Sequence, residues 1–540
     1  MMKKCLCVLF FVGICVSQTF SHSSVQLTSS NLPILVIDTQ GKQIVDEIRI
    51  SAHLGIIDNG KGHRNAIGDP YNGYDGWIAI ERRGSATGNY PKGNYRFETQ
   101  DEQGENLNAS LLGMPEENDW ILYGPYVDDP SLIRSVLAYR WSLAMGRYAS
   151  RVRFCELVLN GNYQGVYVLM EKLKRDKNRI DVSELDPDDI AGDSLTGGYI
   201  IKIDKWEGEN VGGWWSNSRI FYQYHYPQKD DIQDQQISYI RNFMNAFENA
   251  MKSANPSDLS TGYPKYIDLD SFVDHFILNE VCKNVDAYRI SAFFFKDRDS
   301  KKKGKLHAGP IWDFNLTLGR SWFPQDRFVT EGWQVDYGET HPWDDYQVPF
   351  FWNVLVHQSE FVDRALKRWT ELRKGIFSID SMYATIDRLV DTLSEARTRN
   401  LQRWPEMDDE FSYDQEIRLM KEWIAKRLVW IDTHLGLLAQ VKEALPMVPE
   451  AVILYPNYPN PFNTTTTIRF SLSRASMVDL AVYTLTGERV RTLFSGPKPK
   501  GEHTVVWNGE TEQGSIASGI YFVRLKTEKT VHTQKILMVK

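Results

Sequence analysis

"GPIWDFNLTLG", Gly309 to Gly319, closes an apolar run on an aspartate, Asp313, set between Trp312 and Phe314. A carboxylate wedged between aromatic rings at the end of a strand is costly to bury unless something pairs with it, and a metal ion is one partner that suits it. On these residues alone a turn-capping acid is the simpler reading. The neighbouring sequence decides between the two.

Upstream, "LDSFVDHFILNEVCKN" places Phe272, Phe276 and Glu280 on one stripe and Val273, Ile277 and Val281 on the next, which predicts a half-buried helix. "AFFFK" and "KLHAGPIW" then read as two strands joined by the charged turn "DRDSKKKG". If one strand runs out and the other runs back, the loop from Asp286 to Ser291 comes to lie beside Asp313. Helix, loop with Asp, hairpin, second Asp followed by an aromatic is the order in which protein kinases present a catalytic base and a magnesium-holding carboxylate.

The remaining text frames this pair. At 540 residues the chain exceeds one ordinary core, and a net charge of -8 gives no global pull toward nucleic acid or anionic membrane. Sixteen Trp and an aromatic content of 12% favour a folded protein. "MMKKCLCVLFFVGICVSQTFS" has the basic, apolar and small-residue plan of a secretory signal peptide over residues 1–17, with no transmembrane segment expected in the mature chain. Three of the five cysteines fall there; Cys155 and Cys282 are left as either one disulfide or two buried thiols.

"RFCELVLNGNYQGVYVLMEK", Arg153 to Lys172, is an explicit hairpin whose Asn-Gly supplies the positive φ angles of a tight turn. Its end would deliver Glu171 and Lys172 as a strap against which a nucleotide base could bind. "RRGSATGNYPKGNYRF" offers a Gly-containing turn at Arg83, Gly84 and Ser85 followed by Lys92, the relation of backbone N–H groups and a cation that phosphates need. Helical spacing is expected over residues 129–148, and beyond residue 340 at Met382, Ile386, Leu393 and at Ile417, Met420, Ile424, Leu428. His53, His63 and His307 lack metal-ligand spacing, and neither a G-x-S-x-G elbow nor a Walker loop is present.

Taken in order, "RRGSATGNYPKGNYRFET", "VLNGNYQGVYVLMEK", "NVDAYR" and "GPIWDFN" resemble the CotH kinase-like family, named for a spore coat protein, over about residues 34–435. The resemblance implies an α+β chain with an atypical, two-lobed protein-kinase-like domain that binds ATP with Mg2+ or Mn2+ and phosphorylates Ser or Thr of secreted or surface proteins. It puts Asp286 in the catalytic-base position and Asp313 on the metal. Lys92 is implied to meet the phosphates beneath the turn at Arg83, Gly84 and Ser85, while Glu171 and Lys172 line the adenine side. Two departures stand out: Ser291 sits where many relatives carry Asn as second metal ligand, and Gly319 is followed by Arg320 where the family often has Asn.

Composition changes near residue 446. Prolines at 446, 449, 456, 459 and 461 predict a linker over 446–456, after which "TTIRFSL", "VDLAVYTL", "ERVRTLF", "HTVVWNG", "GIYFVRLKT" and "TQKILMVK" predict a small antiparallel β-sandwich over 457–540. "YPNPFNTTTTIRFSL", "VYTLTGERV" and "SGIYFVRLKT" are similar to the type A sorting domain of the type IX secretion system. This implies that the secretion machinery is a partner, that the product is secreted or held on the outer cell surface, and that the kinase-like part spans 18–445. Two further readings are compatible with the sequence: a transferase on the same scaffold moving AMP or an amino acid, and a catalytically idle surface or adhesion protein.

Overall fold

The computed structural model describes residues 25–438, apart from 85–87, 89 and 207–210, and most of 452–539; the expected signal peptide and most of the expected linker lie outside the described residues. The chain separates into two compact units, Met1–Gln440 and Val441–Lys540.

Unit one begins with a closed barrel. Its strands are β1 (Ile34–Asp38), β2 (Ile50–Ile57), β3 (Tyr74–Arg83), β4 (Asn94–Gln100), β5 (Asp119–Tyr123), β6 (Val152–Leu159) and β7 (Asn162–Glu171). They pair in the order β1-β2-β3-β4-β5-β7-β6, and β6 returns to β1 in parallel, Ile34 opposite Glu156. Alternate residues point inward, so Ile37, Leu54, Ile56, Ile78, Ile80, Phe97, Trp120 and Leu157 fill the barrel. The β6–β7 hairpin turns on Asn160 and Gly161 at φ 48° and 74°, the two left-handed residues a tight hairpin requires.

The outer face of β6 and β7 is apolar too. Phe154, Val166, Val168 and Met170 join the main core of the unit with the helix α1 (Arg134–Ala144). A second sheet follows, with β8 (Tyr199–Ile203), β9 (Gly213–Trp215), β10 (Phe221–Tyr226), β11 (Ala292–Lys296) and β12 (Leu306–Ala308) in the antiparallel order β9-β10-β8-β11-β12. Around it lie α2 (Asp234–Met251), α3 (Leu269–Cys282), α4 (Phe350–Val356), α5 (Ser359–Arg373), α6 (Ile379–Arg403) and α7 (Tyr413–His434).

Helix α3 is buried on every side, Asp270 apart, rather than on one face. Its Asp268 cap accepts from Ser271 N at 2.9 Å, and its stripe residue Glu280 pairs with Arg427 of α7 at 3.0 Å. The expected half-buried helix is thus a fully packed one, and Glu280 on its stripe is half of an internal ion pair. Helix α6 reaches the barrel at Gly165, where Asn400 Oδ1 accepts from Val166 N at 3.0 Å; a Cβ at Gly165 would sit 2.4 Å from that oxygen, so only glycine fits. Cys155 and Cys282 are both buried free thiols, which settles the cysteine alternatives in favour of no disulfide.

Among the described residues, unit two has two main antiparallel sheets enclosing one core and a small two-stranded pairing of Glu510–Thr511 with Gly514–Ser515. Strands β13 (Thr466–Leu472) and β16 (Gly501–Trp507) pair with the two-residue strand Ile453–Leu454 on one edge, and β15 (Arg489–Lys498), β14 (Ser476–Thr484), β17 (Gly519–Lys526) and β18 (Val531–Met538) form the other sheet in that order. Ile468 and Phe470 face Leu480, Val482, Val523, Leu525 and Ile536 between them.

Candidate active site

The two aspartates reach one cavity because two loops are stitched together. Helix α3 ends at Lys283 in the left-handed region, φ 47°, and releases the segment Asn284–Ser291 into β11. Strand β12 is shorter than the sequence suggests: pairing stops at Ala308, and residues 309–312 run on to Asp313 as an irregular arm anchored by Gly309 N donating to Phe293 O at 2.8 Å. Val285 N then donates to Leu316 O at 3.2 Å and Leu318 N to Cys282 O at 2.8 Å. Asp313 itself is held at φ 61° and Ser291 at φ 52°, conformations a side-chain-bearing residue adopts only when its surroundings impose them.

The cavity measures about 510 Å³, within the range of small-molecule sites. Asp286, Ser291 and Asp313 line it from the hairpin side, together with Arg289, Phe293 and Asn315. Arg83, Gly84, Ile121, Tyr123, Asp128 and Met170 line it from the barrel and the segment after it, and Lys202 and Asp204 from the end of β8. Ser85 lies outside the described residues.

Its electrostatics are dominated by carboxylates. Burial raises Asp313 to about 7, helped by the charges of Asp286, Asp128 and Asp204 and opposed by Arg83. Burial also raises Asp286, against the pull of Arg289, whose guanidinium lies 3.2 Å from it and bridges to Asp344 at 3.1 Å. Tyr337 O–H donates to Asp344 at 2.6 Å, so Asp286 is oriented by a chain of three side chains. Asp128 is 2% exposed and accepts from Asn315 Nδ2 at 2.7 Å, tying the residue two past Asp313 to the barrel side.

Five carboxylates line this space, those of Asp128, Asp204, Asp286, Asp313 and Asp344, and burial, followed by the charges of its neighbours, pushes Asp313 toward neutrality. Among the described residues no three such groups already converge as a finished metal site. An ion of the magnesium type takes one or two carboxylates and leaves its remaining positions to water and phosphate.

Three of the expected site residues are elsewhere. Lys92 is fully buried, its ammonium donating to Pro125 O at 2.9 Å and Asn400 Oδ1 at 2.8 Å, and burial lowers it to about 7. It fastens α6 to the barrel; the cations that line the cavity among the described residues are Arg83, Lys202, Lys205 and Arg289, with Lys202 2.7 Å from Asp204. Glu171 is likewise fully buried, accepting from Arg151 N at 2.9 Å, Arg151 Nη1 at 2.8 Å and Tyr148 O–H at 3.1 Å, and Lys172 pairs with Asp119 at 2.8 Å. Met170, one residue earlier, is the hairpin residue that reaches the cavity. Sequence reasoning missed Asp128, Lys202, Asp204, Arg289 and Asn315. The available signals were the charges closing the apolar strand "YIIKID", the paired acids in "YVDDPS" and the Arg three residues past Asp286.

A family described as CotH kinase protein matches residues 80–431, and one described as FlgD Ig-like domain matches residues 460–530. No curated protein matches. Among solved structures, the chain is 21% identical to dimeric latent PorU from Porphyromonas gingivalis over 16% of this chain and 9% of that one, with a TM-score of 0.14. It is 11% identical to the Helicobacter pylori proinflammatory kinase CtkA over 63% of this chain and 94% of that one, at a TM-score of 0.21. It is 10% identical to a C. elegans twitchin kinase fragment over 83% and 89%, at 0.16. None of the three superposes closely enough to bear on the fold. The first family match takes in well over half of the sequence, so the chain belongs to the CotH kinase family and is a kinase at that level.

Proposed function

We propose that this member of the CotH kinase family is an exported, ATP- and metal-dependent kinase that phosphorylates Ser or Thr of secreted or cell-surface proteins. The observation that carries the reading is the single cavity onto which Asp286, Asp313, Arg83 and Lys202 open. In this reading the barrel and the helical part with its five-stranded sheet are the two lobes of a kinase-like domain over 18–445.

Asp286 orients the acceptor hydroxyl and takes its proton, and Arg289 fixes the carboxylate in place for that step. Asp313, with Ser291 nearby, would hold Mg2+ or Mn2+, which would supply positive charge to offset that of the phosphates. Arg83 and Lys202 face the phosphates, and Gly84 lets backbone approach them closely. Ile121 and Met170 give the apolar wall a purine needs. The segment 446–456 links this domain to a type A sorting domain over 457–540. The signal peptide at 1–17 and that sorting domain carry the protein to the periplasm and across the outer membrane by the type IX machinery.

Incubating the full chain with ATP, Mg2+ and a generic unfolded acceptor protein, then weighing the acceptor, tests the reaction. A phosphate's added mass on Ser or Thr supports the proposal. An adenylate's mass transfers the reading to the AMP-moving alternative, and no mass change with Mg2+ or Mn2+ leaves a kinase-shaped surface protein, the reading that Ser291 in place of Asn favours.

A further inference from the structure

Residues 319–349, between the loop that follows Asp313 and helix α4, form short helical turns and irregular backbone. Few backbone bonds hold such a segment, so its side chains must. Trp322, Phe323, Asp344 and Tyr346 bring it to the wall of the acidic cavity. Behind that wall, other residues of the same segment meet Arg289.

The Asp286 carboxylate accepts from Arg289 Nη2 at 3.2 Å. Arg289 uses the rest of its edge on the surrounding backbone and on Asp344: Nε donates to Val285 O at 3.1 Å, and Nη1 to Asp344 at 3.1 Å and to Tyr346 O at 3.2 Å. Hydrogen bonds of this kind lie in the guanidinium plane and do not hold its faces. A face is held by stacking, and the guanidinium carbon lies 4.1 Å from the centre of the Tyr337 ring, which is 3% exposed.

A second ring fixes the first. His341, 4% exposed, lies parallel to Tyr337 with ring centres 4.3 Å apart and 3° between the planes. Its own ring is fixed at both nitrogens: Nδ1 is 2.8 Å from Thr340 Oγ1, and Nε2 is 2.9 Å from Asp326, close to the acid but off the line of a hydrogen bond. Phe323, one of the cavity residues, packs on His341 with 5.1 Å between centres. The Tyr337 hydroxyl acts separately, on Asp344. Losing the hydroxyl therefore leaves the ring on Arg289, whereas losing the ring leaves the guanidinium with its edge contacts alone.

With the kinase reading above as premise, we propose that Tyr337 and His341 are positioning residues of the transfer reaction, acting through Arg289 on the Asp286 carboxylate. Turnover and KM for ATP and for the unfolded acceptor protein are measured on the full chain. Tyr337→Leu should lower kcat about tenfold with both KM values within about twofold, while Tyr337→Phe, which keeps the ring, should stay within about threefold of the native kcat. Combined with Arg289→Ala, Tyr337→Leu should cost less than about a further twofold, because the support has nothing left to act on. As Tyr337→Leu can fail to fold, His341 provides a second comparison: His341→Phe, which keeps a parallel ring, should stay within about twofold of the native kcat, and His341→Ala should fall about fivefold. Hydrogen exchange at the Arg289 Nε–H, read by NMR on arginine-labelled chain and assigned with Arg289→Lys, needs no activity. It should be about tenfold faster in Tyr337→Leu and unchanged in Tyr337→Phe. Equal kcat losses in the Phe and Leu variants, additive losses with Arg289→Ala, a raised KM at constant kcat, or equal exchange in all variants would each overturn the positioning role. Native protein that transfers no phosphate yet shows the exchange difference would retire the kinase reading and uphold the stacked support of Arg289.

Discussion

Val285 N donates to Leu316 O at 3.2 Å, which binds the loop carrying Asp286 to the loop following Asp313. With Leu318 N on Cys282 O, the two acids are preset by backbone hydrogen bonds and need no ligand to bring them together.

Asp286→Asn keeps the shape of the site and removes the proton acceptor. Transfer should fall by about 10²–10⁴-fold, the usual worth of a general base, while nucleotide affinity stays within about twofold. Parallel measurement of kcat and of nucleotide binding checks this; equal loss of both would make Asp286 a binding group.

Arg83 and Lys92 should behave oppositely. Arg83→Gln is expected to weaken nucleotide binding with little change in thermal stability, since Arg83 faces the cavity. Lys92→Met removes two buried hydrogen bonds between barrel and α6, leaving Asn400 and Pro125 with less to accept, and should cost about 1–3 kcal/mol of stability. A melting curve and a nucleotide titration on each variant separate the roles.

His275 makes the protein acid-sensitive. Burial alone lowers it from an ordinary 6.5 to about 4, so the unfolded chain takes up this proton first. Stability is then fully present above about pH 6.5 and declines as pH falls toward 4, by on the order of 3 kcal/mol from this residue. His275→Phe, which can keep the stacking on Trp352, should flatten that part of the pH–stability curve. Denaturant midpoints between pH 4 and 7 are the measurement.

Arg289→Ala should lower kcat more than it raises KM, because Arg289 touches Asp286 and Asp344 and stands at the cavity wall. Arg289→Lys, which keeps charge without the two-pronged geometry, should restore only part of the rate. Full recovery with Lys would show that charge alone matters there.

Local chemistry was readable where one residue type dictates backbone shape. Asn160-Gly161 announced its hairpin, the strands of unit two alternate plainly, and the order of helix, Asp286, hairpin and Asp313 placed both acids on one cavity. What failed was the direction of side chains near an element's end. Lys92 sits after a Gly-containing turn as a phosphate lysine would, yet its target, Asn400, is 308 residues away in α6. Glu171 and Lys172 were read as a strap, but a strand's alternation hands the cavity to Met170 and sends Glu171 into an internal network with Arg151 and Tyr148. Asp128 and Lys202 come from segments separated by more than 70 residues and meet only in the folded chain.

The most direct test of the central claim is calorimetric binding of ATP to the full chain, with and without Mg2+ or Mn2+, for the native protein and Asp313→Ala. The account predicts saturable binding that requires the metal and is at least tenfold weaker in the variant. Folded native protein that binds no nucleotide with either metal, or a variant that binds as the native protein does, would contradict it.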